Sequence, residues 1–232
     1  MDSSIVNFLN TPEDRAAGSR PIRLGGSVLG PPRHICAFFN GHDEEYRVLL
    51  PYIQDGLECG EKAFHTVDPE RLDDHLQRLL KAGIDLNTGR ESGQFELRTW
   101  NEMHLRDGRF DQRRTLALFD EVVKGAKRKG FPLIRFITHM EWALENRPGV
   151  DDLLEYEARA NEIWLRQDGP VNPVICTYDL SKFGGDVVVD VMRTHPMILI
   201  AGRLYENSFF VPPDEFLQGL RNRRELCERF LD

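Results

Sequence analysis

Short apolar runs that alternate with amphipathic segments constrain the fold of this chain more strongly than any other feature. Each run has the length and composition of a buried strand, and each precedes a segment whose apolar residues recur at helical spacing. The predicted strands are 34–39, 63–68, 95–100, 132–142, 173–180 and 196–202. Because strands and helices alternate, we predict an α/β fold, a three-layer sandwich with a mainly parallel sheet and right-handed crossovers.

The length of 232 residues suits one sizeable domain with an extension at each end. Residues 1–32 mix Ser, Gly, Pro and Arg without a sustained period, so we interpret them as a flexible N-terminal extension. Residues 33–212 form the predicted domain. Residues 213–232 read as an amphipathic C-terminal helix that packs on the domain or extends it.

Composition and charge exclude several classes of protein. No apolar run approaches the length of a membrane span, and the first residues lack a secretory signal, so we expect a cytoplasmic protein without a membrane partner. The formal net charge of −8 argues against direct binding to nucleic acid, which needs clustered Lys and Arg. The four cysteines form no CxxC pair, which argues against a zinc knuckle and against a disulfide framework.

The loop after the first predicted strand is the place where many α/β proteins bind phosphate. Here residues 40–47 read NGHDEEYR, with one glycine and no GxxxxGK[ST] motif, so the chain lacks a Walker A sequence. Three carboxylates follow the glycine, namely Asp43, Glu44 and Glu45, and they would repel a phosphate at the start of the helix. We therefore expect no ordinary nucleotide triphosphatase.

Polar side chains recur inside or at the exit of the apolar runs, and these are the candidate binding residues. The carboxyl ends of parallel strands meet at one edge of a sheet, where open α/β sheets bind ligands. We therefore predict one shared pocket that contains His65, His139, Glu141, Tyr178 and Asp179. If the fourth strand continues, His139 and Glu141 lie on the same face and form its polar anchor. The alternative is a buried histidine that donates to a carboxylate for structural reasons alone.

Two thiols, Cys36 and Cys176, occupy similar positions in the first and fifth predicted strands. Free cysteines in such runs are mostly small core residues. Four histidines could join them as metal ligands, namely His34, His65, His139 and His195. Ligands on strands leave no diagnostic spacing, so a metal remains one hypothesis among others and the cofactor is left unknown. The other histidines, His42, His75 and His104, lie in polar segments and are predicted to be surface residues.

Several separated stretches, in order along the chain, resemble the MEDS domain, the methanogen/methylotroph sensory domain. They are residues 33–69, 138–161, 174–202 and 206–217, so the resemblance covers roughly residues 33–220. His34, Ile35 and Cys36 match the first-strand motif of the family, and residues 139–142 match that of the fourth strand. The family includes the sensory half of a dichloromethane dehalogenase repressor.

The resemblance implies a fold similar to that of RecA-like and KaiC-like ATPases, with a degenerate phosphate loop, and a role in sensing rather than hydrolysis. Family members are proposed to detect small molecules, hydrocarbon derivatives among them. No helix-turn-helix unit is apparent in this sequence, so the resemblance favours a sensor that acts on signalling or transcription through a regulatory protein partner. A homo-oligomer is compatible with this interpretation.

The leading hypothesis is a cytoplasmic sensing module with a small-molecule ligand. The predicted ligand-binding residues are His34, Cys36, His65, His139, Glu141, Tyr178 and Asp179. The rival hypothesis is a small hydrolase or transferase that uses His139 with Glu141 or Asp179, with or without a metal. A third is an interaction protein whose pocket is vestigial.

Overall fold

The computed structural model of the chain describes residues 20–165 and 171–231, and within these ranges it contains nine β-strands and seven α-helices. The strands are β1 Arg23–Leu24, β2 Ser27–Val28, β3 His34–Phe39, β4 Lys62–Val67, β5 Phe95–Thr99, β6 Ile134–His139, β7 Val174–Asp179, β8 Met197–Ile200 and β9 Arg203–Glu206. The helices are α1 His42–Glu58, α2 Leu72–Lys81, α3 Leu86–Ser92, α4 Gln112–Arg128, α5 Leu153–Leu165, α6 Gly185–Thr194 and α7 Pro213–Leu231. None of these helices is long and apolar enough to cross a membrane.

The central sheet confirms the predicted fold class. In the described part of the chain it has seven strands in the order β5-β4-β6-β7-β3-β8-β9. All neighbouring pairs are parallel except β8 and β9, which are antiparallel. The first long strand, β3, therefore lies inside the sheet between β7 and β8, and its six residues are all buried. Helices cover both faces, so the molecule is a three-layer α/β sandwich with a mainly parallel sheet.

Each strand sends alternate side chains to opposite faces of the sheet, and each face has its own apolar core. One core, on what we call the α1 face, receives Ile35, Ala37 and Phe39 from β3 together with apolar residues of α1 and α2. The other, on what we call the α5 face, receives Cys36 and Phe38 together with apolar residues of α4, α5 and α6. The two faces also hold separate sets of buried polar groups.

Residues 20–32 belong to the stretch that the sequence led us to interpret as an extension. They contain the antiparallel β1–β2 ribbon, and three of their side chains are buried against the α1 face, namely Ile22, Leu24 and Leu29. The packed part of the chain thus begins before residue 33. Residues 1–19 lie outside the described residues.

The predicted strands correspond to β3–β8, with one difference that affects the site. The fourth was predicted to run to residue 142, but β6 ends at His139 and a 3₁₀ helix occupies Glu141–Leu144. Helix α3 was not predicted. It begins after Asp85, whose Oδ1 accepts hydrogen bonds from the backbone N–H groups of Asn87 and Thr88 at 3.1 Å.

A buried arginine joins α1 to β6 on the α1 face. The Arg135 guanidinium donates to Asp55 Oδ2 at 2.8 Å, to the carbonyl of Tyr52 and to the Glu61 carboxylate. It lies over the Tyr52 ring, 4.6 Å from the ring centroid. Burial lowers the pKa of Arg135, but its anionic neighbours outweigh burial and raise it, so the charge is retained. Gly56 makes room for this side chain, since a Cβ there would lie 2.6 Å from Cδ and Nε of Arg135.

Replacing Gly56 by Ala should therefore destabilise the fold. We expect a loss of about 1–2 kcal/mol in the free energy of unfolding, because overpacking against Arg135 outweighs the better helix propensity of alanine. The matched control is Gly125→Ala in α4, where the nearest atom to a new Cβ is 3.8 Å away. That change should stabilise by about 0.5–1 kcal/mol. Urea unfolding of both variants checks the prediction, and equal shifts would contradict it.

Candidate functional site

Four chemically reactive side chains converge on the α5 face of the sheet. His34 is the first residue of β3, and Cys176 lies two residues along from its register partner on β7. Glu157 comes from α5, and His195 follows the last residue of α6. One ligand atom of each residue lies within 4.8 Å of those of the others, and all four residues are buried. We call this group the four-residue cluster.

The distances within the cluster are short and similar. Glu157 Oε2 lies 3.4 Å from His34 Nε2 and 3.4 Å from His195 Nε2. Cys176 Sγ lies 3.6 Å from His34 Nε2 and 3.9 Å from Glu157 Oε2. The carboxylate is therefore at the centre of the group, and both imidazoles present the same ring nitrogen to it.

Hydrogen bonds outside the cluster set the orientation of its members. His34 Nδ1 lies 3.0 Å from Asn161 Oδ1, and the amide nitrogen of Asn161 donates to the carbonyls of Thr194 at 2.5 Å and Glu157 at 3.2 Å. Asn161 Oδ1 is thus the acceptor, and His34 Nδ1 carries the proton. His195 Nδ1 donates to the carbonyl of Val191 at 2.9 Å. In both rings Nδ1 therefore donates outside the cluster, and Nε2 is the nitrogen that faces it.

Two further groups on β7 and β3 border the cluster. The Tyr178 hydroxyl donates to Glu157 Oε1 at 3.0 Å and so holds the second oxygen of the carboxylate. Cys36 is the register partner of Cys176 and lies on the same face, but its thiol donates to the carbonyl of Met197 at 3.6 Å. Cys36 is therefore a neighbour of the four-residue cluster and not a member.

The cluster combines a buried carboxylate with a thiol and two stacked imidazole rings. Burial raises the pKa of Glu157, but the adjacent histidines and the Tyr178 hydroxyl outweigh burial and lower it. Burial, reinforced by the His34 ring, lowers the pKa of His195 to about 3. The two rings stack with centroids 4.1 Å apart, so they cannot both be cations. Burial and the nearby carboxylate raise the pKa of the Cys176 thiol well above its usual value.

A second polar group lies on the α1 face, beneath α1 and α2. His139 Nε2 is 2.8 Å from Glu45 Oε1, in an ion pair whose angles fall short of a hydrogen bond. Beside it, the Tyr46 hydroxyl lies 2.6 Å from His75 Nδ1, and His75 Nε2 lies 3.0 Å from His65 Nδ1. We call these five residues the α1-face group.

Charge in the α1-face group is confined to one pair. Burial lowers the pKa of His139, but the Glu45 carboxylate outweighs burial and raises it. Burial also disfavours the charged form of Glu45, and His139 more than reverses this, so the pKa of Glu45 lies well below its usual value. Burial lowers the pKa of His65 to about 3 and that of His75 well below the usual value, and the neighbouring histidines add to both effects. His65 and His75 are thus neutral at pH 7.

The expected single pocket at the carboxyl edge of the sheet is divided between the two faces. His34, Cys36 and Tyr178 lie on the α5 face, whereas His65 and His139 lie on the α1 face. His34 also starts β3 and so lies at the amino end of that strand. Register partners on neighbouring strands point to the same face of the sheet, and residues next to them in sequence point to the other. His139 is the register partner of Thr177, so it lies on the face opposite to Cys176 and Tyr178.

The remaining two predicted residues lie beyond the strand ends. Glu141 forms no ion pair with His139 in the described part of the chain, because the strand ends at His139 and Glu141 lies in the 3₁₀ helix, although its charge also raises the pKa of His139. Its Oε1 lies 3.9 Å from Lys182 Nζ, and its Oε2 is buried without a hydrogen-bond partner. Asp179 Oδ1 accepts from the backbone N–H and the hydroxyl of Ser181, at 3.0 and 2.7 Å, and so stabilises the turn after β7.

The protein itself uses one backbone N–H of the loop after β3. Gly41 has a φ of 83°, and Glu44 Oε2 accepts a hydrogen bond from the backbone N–H of Asn40 at 2.8 Å. A carboxylate on α1 thus uses a loop N–H that a phosphate would need.

Some site residues were not expected from the sequence. Glu157 lies in a helix without a motif and was not singled out. His75 and His104 were predicted to lie on the surface, but both are buried. His75 precedes the fully buried Leu79 by one helical turn, and that spacing already indicated a core-facing position. The His104 ring stacks on Trp142 with centroids 4.7 Å apart.

Comparison with known proteins extends these observations. Residues 33–196 match the sequence model of MEDS, the MEthanogen/methylotroph, DcmR Sensory domain. The transcriptional repressor DcmR of Methylorubrum extorquens (strain DSM 6343 / CIP 106787 / DM4) is 22% identical over 188 residues, which are 78% of this chain and 65% of the repressor. The crystal structure of the flagellar accessory protein FlaH from Methanocaldococcus jannaschii shares 14% identity, with a TM-score of 0.45, over 88% of this chain and 89% of FlaH. The range matched to the family contains all four residues of the cluster.

The His139–Glu45 pair predicts a pH-dependent contribution to stability. The pKa of His139 is raised in the folded state. Its contribution to the free energy of unfolding is therefore complete below its pKa in the unfolded chain, about 6.5, and is lost as the pH rises through its pKa in the folded state. The contribution of Glu45, whose pKa is lowered, persists down to strongly acidic pH. We expect His139→Gln to lower the free energy of unfolding by about 3–5 kcal/mol at pH 6, because Glu45 is left buried without its cation.

Urea unfolding at pH 6 and pH 9 measures this effect, and the difference between wild type and His139→Gln should be smaller at pH 9. The control is His42→Gln, since His42 lies 3.4 Å from the same carboxylate but is partly exposed. It should cost less than about 1 kcal/mol. A pH-independent difference for His139→Gln would contradict the assigned ion pair.

Proposed function

The chain belongs to the MEDS family of sensory domains, and on that basis we propose that it binds a small molecule and reports the bound state to a regulatory protein partner. A small hydrocarbon derivative is the ligand class that we propose, and the cytoplasm is the proposed location. The proposed input is the four-residue cluster, and the proposed output is helix α7. One observation carries this proposal: α7 packs on the same two helices that position Glu157 and His195.

The apolar contact runs through α5. Ala158, the residue after Glu157, is buried in a small apolar cluster with Phe216 and Leu217 of α7. Adjacent helix residues point in directions about 100° apart. Within one turn of α5, Glu157 therefore faces the four-residue cluster and Ala158 faces α7. A displacement of the Glu157 carboxylate along its helix therefore moves the surface on which α7 rests.

Ion pairs add contacts to both helices. Arg224 of α7 lies 3.1 Å from Glu155 Oε2 and 3.1 Å from Asp152 Oδ1 at the start of α5. Arg223 lies 3.2 Å from Asp190 Oδ2 on α6, the helix that leads to His195. Exposed ion pairs of this kind contribute only about 0–1 kcal/mol each. A small change in the relative position of α5 and α6 is thus enough to alter how α7 is held.

A ligand biases α7 only if it binds one arrangement of α5 and α6 more tightly than another. A molecule that engages Glu157 or His195 meets this requirement, because these groups come from different helices. The outer side of α7 is exposed and rich in charge, and it offers a surface to the proposed partner.

The contacts favour sensing over acid–base catalysis with His139. Such catalysis needs a histidine and a carboxylate that can reach a substrate. His139 is buried and paired with Glu45, while Asp179 accepts hydrogen bonds from Ser181. His139 thus forms its ion pair with Glu45, and in the described residues it forms none with Glu141 or Asp179.

The coupling predicts that a change in the cluster alters α7. We expect Glu157→Gln, which keeps the shape of the side chain but removes its charge, to accelerate amide hydrogen exchange in residues 213–225 of the full chain by about tenfold or more. The matched control is Glu141→Gln. Glu141 is also buried, but it lies outside the four-residue cluster, near Lys182. Mass-spectrometric exchange of the two variants checks this, and equal rates in α7 would exclude the proposed route.

Ligand binding is tested by thermal shift with a panel of one- and two-carbon alcohols, thiols, amines and halides. At least one compound should raise the melting temperature of the wild type, slow exchange in α7, and have no effect on Glu157→Gln. A panel without any such compound would count against a hydrocarbon derivative as the ligand.

A further inference from the structure

We propose that His34, Glu157, Cys176 and His195 bind one divalent metal ion of the zinc class. The inference deepens the proposed function, on which the sensory role of the metal rests, because the metal would lie at the proposed input site, where a small molecule would bind by displacing one of the four protein ligands. The binding itself can be tested without reference to α7.

The donor set suits such an ion. Two imidazoles, one thiolate and one carboxylate are all established ligands of zinc, and four protein ligands in a tetrahedron are its common structural arrangement. The soft sulfur of Cys176 favours zinc-class ions over Mg²⁺ and Ca²⁺, which prefer oxygen ligands. On binding, the Cys176 thiol would release its proton to solvent and coordinate as the thiolate.

The spacing agrees with a tetrahedron. With metal–ligand bonds of about 2.0–2.3 Å, neighbouring ligand atoms of a tetrahedral site lie about 3.3–3.6 Å apart. Of the six distances between the four ligand atoms, three are 3.4, 3.4 and 3.6 Å. The distance from Cys176 Sγ to Glu157 Oε2 is 3.9 Å, and the ligand atom of His195 lies within 4.8 Å of those of His34 and Cys176.

The outer hydrogen bonds have the form seen around metal-binding histidines. Such histidines usually donate the other ring N–H to a carbonyl or a similar acceptor, which fixes the tautomer and aims the lone pair at the metal. His34 does this through Asn161, and His195 does it through the carbonyl of Val191. The Tyr178 hydroxyl similarly orients the carboxylate of Glu157. Hydrogen bonds thus hold His34, His195 and Glu157 in a coordinating orientation.

The burial of Glu157 favours a cation in the cluster. Glu157 is fully buried, and a buried carboxylate is costly unless a positive charge compensates it. Its neighbours offer ring nitrogens that already use their protons elsewhere. The competing occupant is a single proton on one imidazole, which would satisfy the carboxylate without a metal.

The α1-face group shows what a histidine group without such a site looks like. There His75 uses both ring nitrogens within the group, one toward Tyr46 and one toward His65. His139 is paired directly with Glu45. Lone pairs therefore do not converge on one point in that group, and we propose no metal there.

The first experiment is elemental analysis of the full chain purified from zinc-supplemented cells, followed by replacement with Co²⁺. We expect about one zinc per chain and, with cobalt, the absorption bands of a tetrahedral site with a sulfur-to-cobalt charge-transfer band. Cys176→Ser should abolish the charge-transfer band, and Cys176→Ser and His195→Gln should each weaken zinc binding by at least about 100-fold. The matched controls are Cys36→Ser, on the same face, and His139→Gln, on the other, and both should retain full stoichiometry.

A gentler variant keeps the test valid if those proteins fold poorly. Tyr178→Phe removes only the hydroxyl that orients Glu157, and it should weaken zinc binding by about 10–100-fold while the chain remains folded. A wild-type chain that binds neither zinc nor cobalt at stoichiometric level, or Cys176→Ser with an unchanged cobalt spectrum, would overturn the metal site and leave the proton as the occupant.

Failure of this inference can be distinguished from failure of the proposed function. A metal-free chain in which Glu157→Gln still changes amide exchange in α7 would remove the metal but keep the sensor. A chain with full zinc occupancy and no response of α7 would keep the metal site and exclude the proposed output.

Discussion

The burial of the Glu157 carboxylate is the constraint on which the rest of the structure depends. A buried charge is costly unless neighbouring groups compensate it. Here the neighbours of the carboxylate come from β3, β7 and the end of α6, namely His34, Cys176, Tyr178 and His195. These contacts join α5 to the sheet and to the end of α6, the two helices on which α7 packs.

The sheet divides the polar interior of the molecule into two parts with different electrostatics. On the α1 face the charge of Glu45 is balanced by a proton held on His139, whose pKa is raised. On the α5 face both rings donate through Nδ1 away from Glu157 and turn Nε2 toward it. The first arrangement contains its own cation, whereas the second is the site at which we propose a metal.

The sequence predicted the strands well because buried parallel strands appear as apolar runs. It could not predict the separation of His139 from Tyr178, which depends on the register between β6 and β7. It missed Glu157 because one acidic residue in an amphipathic helix has no distinctive pattern. It paired His139 with Glu141 because neighbours in sequence are visible, whereas Glu45 reaches it only through the packing of α1 on the sheet.

Side chains of the protein itself engage polar groups at the carboxyl edge of the sheet. Glu44 accepts from the loop N–H of Asn40, Asp179 accepts from Ser181, and Glu141 lies near Lys182. Part of the usual ligand position of an open α/β sheet is therefore occupied by the protein's own side chains. In the proposed function, a signal that starts at the four-residue cluster would pass through the packing of helices. The ion pairs between α7 and the helices α5 and α6 are exposed and contribute only about 0–1 kcal/mol each, which is why α7 is the proposed output.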